Sequence, residues 1–177
     1  PKKYGFHGTL KAPFRLKKEY TYSDLEKKVY EIAKELQRFD VGKLNLKKIG
    51  NFIALVPEKN DKIKYLSNKL VTGLDFLRDE LLEEEILKRN PQTLTLNQKK
   101  MLTNWGYPYV LDEFNFHLTL TDKIDNKKID NILKSIKRNL RYIDFEKENF
   151  NNICIFGEKK DEKFYFIKRF KLEGLEH

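Results

Sequence analysis

Phe114-Asn115-Phe116-His117-Leu118-Thr119-Leu120-Thr121 alternates apolar and polar side chains without a break. A β-strand turns successive side chains to opposite faces. Phe114, Phe116, Leu118 and Leu120 therefore share one face, and Asn115, His117, Thr119 and Thr121 the other. The centre of this stretch, Phe-His-Leu-Thr-Leu, has a near-copy at the start of the chain, Phe6-His7-Gly8-Thr9-Leu10. Read as a strand, that copy sets Phe6, Gly8 and Leu10 against His7, Thr9 and Lys11. Chance would put x-Thr-Leu behind a histidine only about once in 160 positions, so the repeat is a signal. The two copies hold both internal histidines; His177 closes a Leu-Glu-His end at 175–177 that reads as a tag remnant.

The flanks of the two motifs also match. After the first, Ser23 is an N-cap candidate for a helix running to Phe39, with Leu25, Val29, Ile32, Ala33 and Leu36 as its apolar stripe. Strands Val41 to Ile49 and Phe52 to Pro57 follow, joined at Gly50-Asn51. After the second, a helix from Asp125 to Leu140 turns Ile129, Ile132, Leu133 and Ile136 inward. Strands near Asn151 to Phe156 and Lys163 to Phe170 follow, with Gly157 to Glu162 as the turn. The order β-α-β-β thus occurs twice, which predicts an α+β, two-lobed, pseudo-symmetric domain with antiparallel sheets around a cleft. Lobe one covers about 1–58 and lobe two about 113–174, within a single bilobal domain of 1–174. Between them, about 59–112 reads as a helical insertion. Ile63, Leu66, Leu70, Leu74 and Leu77 mark one helix, and Leu94 to Trp105, capped at Asn97, another.

A net charge of +9 and a pI near 9.4 favour anionic partners, phosphate first, although a solvated lysine surface accounts for the charge equally well. Forty per cent apolar residues exclude a disordered chain. The single cysteine, Cys154, excludes a disulfide framework and points to a reducing, cytoplasmic setting. Its apolar neighbours, Ile153, Ile155 and Phe156, read as a buried, inert thiol. No membrane span or signal peptide is legible, and neither GxxxxGK[ST] nor GxGxxG occurs.

Histidine titrates nearest neutrality, so a matched pair suggests proton transfer. Two imidazoles on either side of a phosphodiester can accept a proton from water and return one to the leaving oxygen. The threonine hydroxyls can donate to non-bridging oxygens, where charge is stabilised in the transition state. Lys11 can add positive charge, and Tyr4, Trp105, Tyr107 and Tyr109 can stack on a base or simply pack. Arg15 and Arg78 read as surface. Zinc is a poor rival, because two histidines without cysteines or paired carboxylates make a weak ligand set. The candidate catalytic residues are His7, Thr9, His117 and Thr119; the substrate-binding candidates are Tyr4, Lys11, Trp105, Tyr107 and Tyr109; no metal or other cofactor is expected.

The two His-x-Thr motifs resemble the 2H phosphoesterase superfamily, whose motifs lie on central strands of a two-lobed fold. Tyr4-Gly5-Phe6-His7-Gly8-Thr9-Leu10-Lys11-Ala12-Pro13-Phe14-Arg15, then Trp105 to Val110, then Phe114 to Thr121, are similar to a less characterised branch found in phosphonate-utilisation gene clusters. The resemblance implies metal-independent hydrolysis of a cyclic, 2′,3′-type phosphodiester on a nucleotide, RNA end or ribose phosphate. His7 and His117 would then be the acid-base pair, and Thr9 and Thr119 the phosphate donors. The alternatives are a non-catalytic RNA- or nucleotide-binding module and an accessory protein of phosphonate metabolism acting on a phosphorylated intermediate. A monomer without membrane partners is expected.

Overall fold

The computed structural model describes residues 5–158 and 163–174, so Tyr4 and the end at 175–177 lie outside the described residues. The architecture is α+β with antiparallel sheets. In chain order its elements are α1 (Tyr22–Lys34), β1 (Phe39–Gly42), β2 (Leu44–Ile49), β3 (Phe52–Pro57), α2 (Asp61–Gly73), α3 (Glu83–Leu87) and α4 (Leu96–Trp105). Then come β4 (Leu118–Thr119), α5 (Asn126–Asn139), β5 (Glu148–Phe150), β6 (Asn152–Glu158) and β7 (Phe164–Lys171). The chain divides into two compact units, each drawn from separate stretches of sequence. The first takes residues up to Thr9, Arg38–Asn60 and Phe116–Lys171; the second takes Leu10–Gln37, Asp61–Asn115 and the segment from Leu172.

In the first unit, β3 is the middle strand of β2-β3-β4, and Ile53, Ala54 and Leu55 are buried on both of its faces. β2 and β3 form the expected hairpin around Gly50-Asn51, with Gly50 at φ +52°. The strand expected from Val41 to Ile49 is two strands. Gly42, at φ +66°, and Lys43 break it, and β1 pairs with β5 instead. A left-handed φ suits glycine at such a break because no Cβ clashes there. Phe39 stacks on its register partner Phe150, and Phe116 meets the same Phe150 edge to face, with centroids 5.9 Å apart.

β6 and β7 pair as expected, but Cys154 is exposed rather than buried. Alternation explains this: Ile153 and Ile155 face the core, and the residues between and after them face out. A run of apolar residues alone had suggested burial on both faces, which a two-stranded ribbon cannot provide.

The second unit is helical. α1 begins two residues earlier than Ser23 predicts: Thr21 caps it, accepting from the Asp24 amide while Asp24 accepts from the Thr21 amide. Such a reciprocal capping box satisfies two orphan donors, which Ser23 cannot match. α1 ends at Lys34, so Phe39 belongs to β1. Thr95, not Asn97, caps α4, again with a reciprocal partner at Gln98. Ile63, Leu66, Leu70, Leu74 and Leu77 are all buried as expected, although the last lies in a separate 3₁₀ turn, Asp75–Leu77. Among the described residues, no helix is long and apolar enough to cross a membrane.

Neither histidine motif is a full strand. The first contributes only one antiparallel bridge, Gly8 to Leu118, and the second only the two residues of β4. The bridge needs glycine: a Cβ on Gly8 would lie 2.3 Å from the ring tip of Phe116, itself 8% exposed. Gly8→Ala therefore forces Phe116 to move and is expected to cost about 1–3 kcal/mol, the usual penalty of overpacking. Urea denaturation of Gly8→Ala, Phe116→Leu and the double variant checks this. Phe116→Leu should cost less in the alanine background than in the wild type, and strict additivity would show that the two groups do not collide.

Candidate functional site

The antiparallel bridge between Gly8 and Leu118 fixes which residues face one another. One step to either side, His7 lies opposite Thr119 and Thr9 opposite His117. These four alternate with Gly8 and Leu118, so they share the face opposite Phe116. Directly opposed antiparallel residues have Cβ atoms about 4.5–5.5 Å apart. Both histidines and both threonines thus belong to one patch of the first unit. His7, His117 and Thr119 are half-buried, and Thr9 is exposed.

The hydrogen bonds of His7 are informative. Its Nδ1 lies 3.2 Å from the Gly5 carbonyl, which can only accept, so Nδ1 carries a proton. Its Nε2 lies 3.2 Å from Thr9 Oγ1. In the neutral ring the threonine hydroxyl donates to Nε2; in the imidazolium Nε2–H donates to the hydroxyl oxygen. The ring can therefore gain or lose its Nε2 proton while keeping both partners. His117 packs against Phe52, with ring centroids 5.5 Å apart. The following residues tie the strand down: Leu120 N–H donates to Ile53 O at 2.9 Å, and Ile53 N–H donates to Thr121 Oγ1 at 3.1 Å.

Register across the sheet adds a residue that the sequence did not suggest. Lys47 is the partner of Ala54, and Ala54 the partner of Thr119. Lys47, Ala54, Thr119 and His7 therefore form one row on the same face. Two strand spacings, about 10 Å, separate the Lys47 backbone from that of Thr119. Ala54, between them, is fully buried, so the middle of the row is covered. Lys47 is exposed. No spacing in the sequence signals this; only the strand register does.

Of the remaining candidates, Tyr4 lies outside the described residues, and Lys11, Trp105, Tyr107 and Tyr109 belong to the second unit. The backbone bends at Leu10 and Lys11, so the alternation of His7 and Thr9 does not run on through Lys11. Lys11, Trp105 and Tyr107 line one recess, together with Phe14, Arg78 and Val110. Tyr109 is exposed and meets Tyr107 edge to face at 5.7 Å. Arg89 lies over the Tyr107 ring at 4.8 Å.

Arg78, expected on a helix surface, lies largely inside. Its Nε donates to Asp75 Oδ1 at 2.8 Å and its Nη2 to the Asn104 carbonyl at 3.2 Å. Arg15 is at the surface as expected, where it donates to Glu85 and the Glu80 carbonyl. Among the described residues, no group of three or more His, Cys, Asp or Glu side chains is arranged to hold a metal ion.

Residues 9–165 match DUF1045, described as a protein of unknown function, and the chain belongs to that family. The match takes in Thr9, Lys11, Trp105, Tyr107, Tyr109, His117 and Thr119, and begins two residues after His7. The chain is 36% identical over 124 residues to a Janthinobacterium sp. (strain Marseille) protein named ribose 1,5-bisphosphate phosphokinase PhnN. It is 27% identical over 127 residues to a protein of the same name from Laribacter hongkongensis (strain HLHK9). These alignments cover 70% and 72% of this chain but 27% and 29% of those proteins, so the chain spans little more than a quarter of their length. DUF1045 membership and PhnN-named relatives fit the expected phosphonate-associated family.

Lys11, inside the matched segment, provides a measurable consequence of burial. Burial pushes its ammonium down from 10.5 to about 8, opposed by the Asp75 charge and aided by Arg78. Folding thus disfavours the charged form. The cost is full below about pH 8 and fades toward pH 10.5, where the unfolded chain loses the same proton. Lys11→Met should raise the unfolding midpoint at pH 7, and the gain should shrink between pH 8 and 10.5. Thermal melts across that range check it; a gain that is constant with pH would mean that the ammonium is not the cause.

Proposed function

We propose that this DUF1045 member is a metal-independent phosphodiesterase that opens a cyclic phosphodiester by two-histidine acid-base catalysis. The observation that carries the reading is the register set by the Gly8–Leu118 bridge: His7 opposite Thr119 and Thr9 opposite His117, on one half-buried face. A phosphate lying over that patch has an imidazole and a hydroxyl on each side. One imidazole takes a proton from water as its oxygen attacks phosphorus; the P–O bond to the ring oxygen breaks, and the other imidazole protonates that oxygen. The threonine hydroxyls donate to the non-bridging oxygens. Lys47, in the same row, is the candidate cation for the remaining charge. The partners of His7 suit either role, since Nε2 keeps Thr9 as its partner with or without a proton.

The proposed fold is the duplicated, pseudo-symmetric two-histidine type. Its support is the element order: each motif is followed by a helix (α1, α5), a short strand (β1, β5) and a hairpin (β2-β3, β6-β7). The two short strands, which occupy equivalent places in the order, pair antiparallel with one another.

Among cyclic phosphates, the relatives favour a ribose phosphate. Their name specifies ribose 1,5-bisphosphate as the compound they phosphorylate. This chain has no GxxxxGK[ST] stretch and matches only a fraction of their length, which favours a neighbouring step over the kinase step itself. Hydrolysis of a cyclic diester at O1 of ribose 5-phosphate, breaking the bond to the other ring oxygen, would leave that bisphosphate. The step belongs to phosphonate metabolism in this reading. A second reading, a binding module without turnover, keeps the same patch.

The test is a panel of 2′,3′-cyclic nucleotides, RNA with cyclic phosphate ends, and ribose cyclic phosphates, assayed with and without EDTA. One of these should be hydrolysed, with a bell-shaped pH profile and no loss to EDTA. His7→Ala and His117→Ala should each lower kcat by at least about 100-fold, the range of general acid-base groups. Full activity in either variant, or abolition by EDTA, would sink the mechanism; binding without hydrolysis across the panel would establish the second reading.

A further inference from the structure

The second unit holds a half-buried ammonium without a matching carboxylate. Lys11 Nζ donates to the Val71 carbonyl at 3.3 Å and lies 4.9 Å from the centre of the Phe14 ring. Among the described residues it forms no ion pair. The nearby carboxylate, Asp75, is already committed to Arg78 through two contacts at 2.8 and 3.4 Å. Lys11, Arg78 and Asp75 together therefore leave one positive charge uncompensated. A buried charge is costly unless paired, and one backbone carbonyl uses only one of the three ammonium donors.

These groups line a recess. Lys11 and Arg78 share its walls with Phe14, Val110, Trp105 and Tyr107. Its inner space is about that of one water molecule, the size of a single oxygen of an oxyanion. The walls are mostly apolar, so an anion entering there meets a low dielectric and few competing waters. Gly106, at φ +74°, ends α4 and lets the Arg78 side chain pass close: a Cβ at this position would lie 3.1 Å from Arg78 Cδ. The recess thus brings two cations and three aromatic rings to one place.

We infer that this recess is an oxyanion site in which Lys11 grips one terminal oxygen of a phosphate or a similar tetrahedral anion, with Arg78 fixed behind it and Trp105 and Tyr107 as walls. The recess belongs to the second unit, and the inference does not rest on the phosphodiesterase reading. Arg78 contributes charge but is held by Asp75 and the Asn104 carbonyl, so Lys11 is the donor that reaches the ligand. The anion would stabilise the ammonium that burial otherwise disfavours, so binding should weaken as the amine loses its proton. Asp75 and Arg78 are the charged groups that bear on that proton, and they oppose one another.

The chain has one tryptophan, Trp105, and it lines the recess, so intrinsic fluorescence reports on the site directly. Sulfate is the probe of choice because its charge does not change between pH 7 and 9.5, and sodium chloride at matched ionic strength is the control. Sulfate should give a saturable change that chloride does not, with an affinity that falls about tenfold or more from pH 7 to 9.5. Inorganic phosphate should compete for the same site. Lys11→Gln should weaken sulfate at least about tenfold at pH 7 with an unchanged circular dichroism spectrum. An identical response to chloride, an affinity that stays flat with pH, or wild-type affinity in Lys11→Gln would overturn the site. Should Lys11→Gln fail to fold, the pH dependence in the wild type decides.

Discussion

The closest approach in the first unit is that of the Gly8 backbone to the ring of Phe116, and much else depends on it. A bare α-carbon lets the N-terminal segment lie flat against β4, where a methyl group would meet the ring at 2.3 Å. Phe116 in turn leans on Phe150, and Phe150 on Phe39. The chain of rings thus runs from the first motif through the second to the β1–β5 pair. Dispersion between rings is weak per contact, but three phenyl groups in sequence, Phe39 and Phe116 buried and Phe150 half-buried between them, define one depth for both motifs. A segment held by a single bridge would otherwise slide, because one hydrogen-bonded pair sets register only weakly.

That constraint also determines which face carries the histidines and threonines. Once Gly8 and Phe116 are turned inward, alternation leaves His7, Thr9, His117 and Thr119 no choice but the other face. The pairing is crosswise: each histidine faces the threonine of the other motif. Each histidine also has its own threonine two residues along, which in the first motif is a direct contact of 3.2 Å. A small anion over this patch would therefore meet the two motifs as interchangeable halves, the arrangement expected if one unit had been used twice. Lys47 breaks that equivalence. It extends the row on the β2 side only, so charge in the patch is lopsided even though the motifs are matched.

The alternation from Phe114 to Thr121 turned Phe116 inward as expected, although regular strand structure survives only at Leu118–Thr119. Side-chain period is a property of extended backbone and does not require a complete ladder, which is why the faces were legible and the strand length was not. The hairpins at Gly50-Asn51 and between β6 and β7 were legible for the same reason. What the sequence concealed depended on competition between near-equals. Thr21 and Ser23, like Thr95 and Asn97, are all competent caps, and the winner is the one with an acid or amide three residues on that bonds back. Lys43 beside Gly42 looked like strand interior until the positive φ of Gly42 ended β1. Cys154 looked buried because the apolar run hid its period of two. The row position of Lys47 and the burial of Arg78 were not legible because register and packing, not spacing, decide them.

Lysine abundance made charge a poor guide along the chain, and burial separates the lysines that matter from those that do not. Lys43, Lys59 and Lys69 pair with Glu146, Asp40 and Glu35 near the surface, where solvent screens them and each pair contributes little. Among the described residues Lys11 has no such partner, and it is half-buried, so its charge is costly unless an anion meets it. A methionine or leucine would fill the same volume against Phe14 and Val71 without that cost. The argument parallels the one for Gly8: in both cases a residue is kept where an ordinary substitute would pack or propagate better. At Gly8 the compensation is visible, since the ring of Phe116 occupies the space. At Lys11 the space beside the ammonium is the size of one oxygen atom, and negative charge is what would make the lysine favourable there.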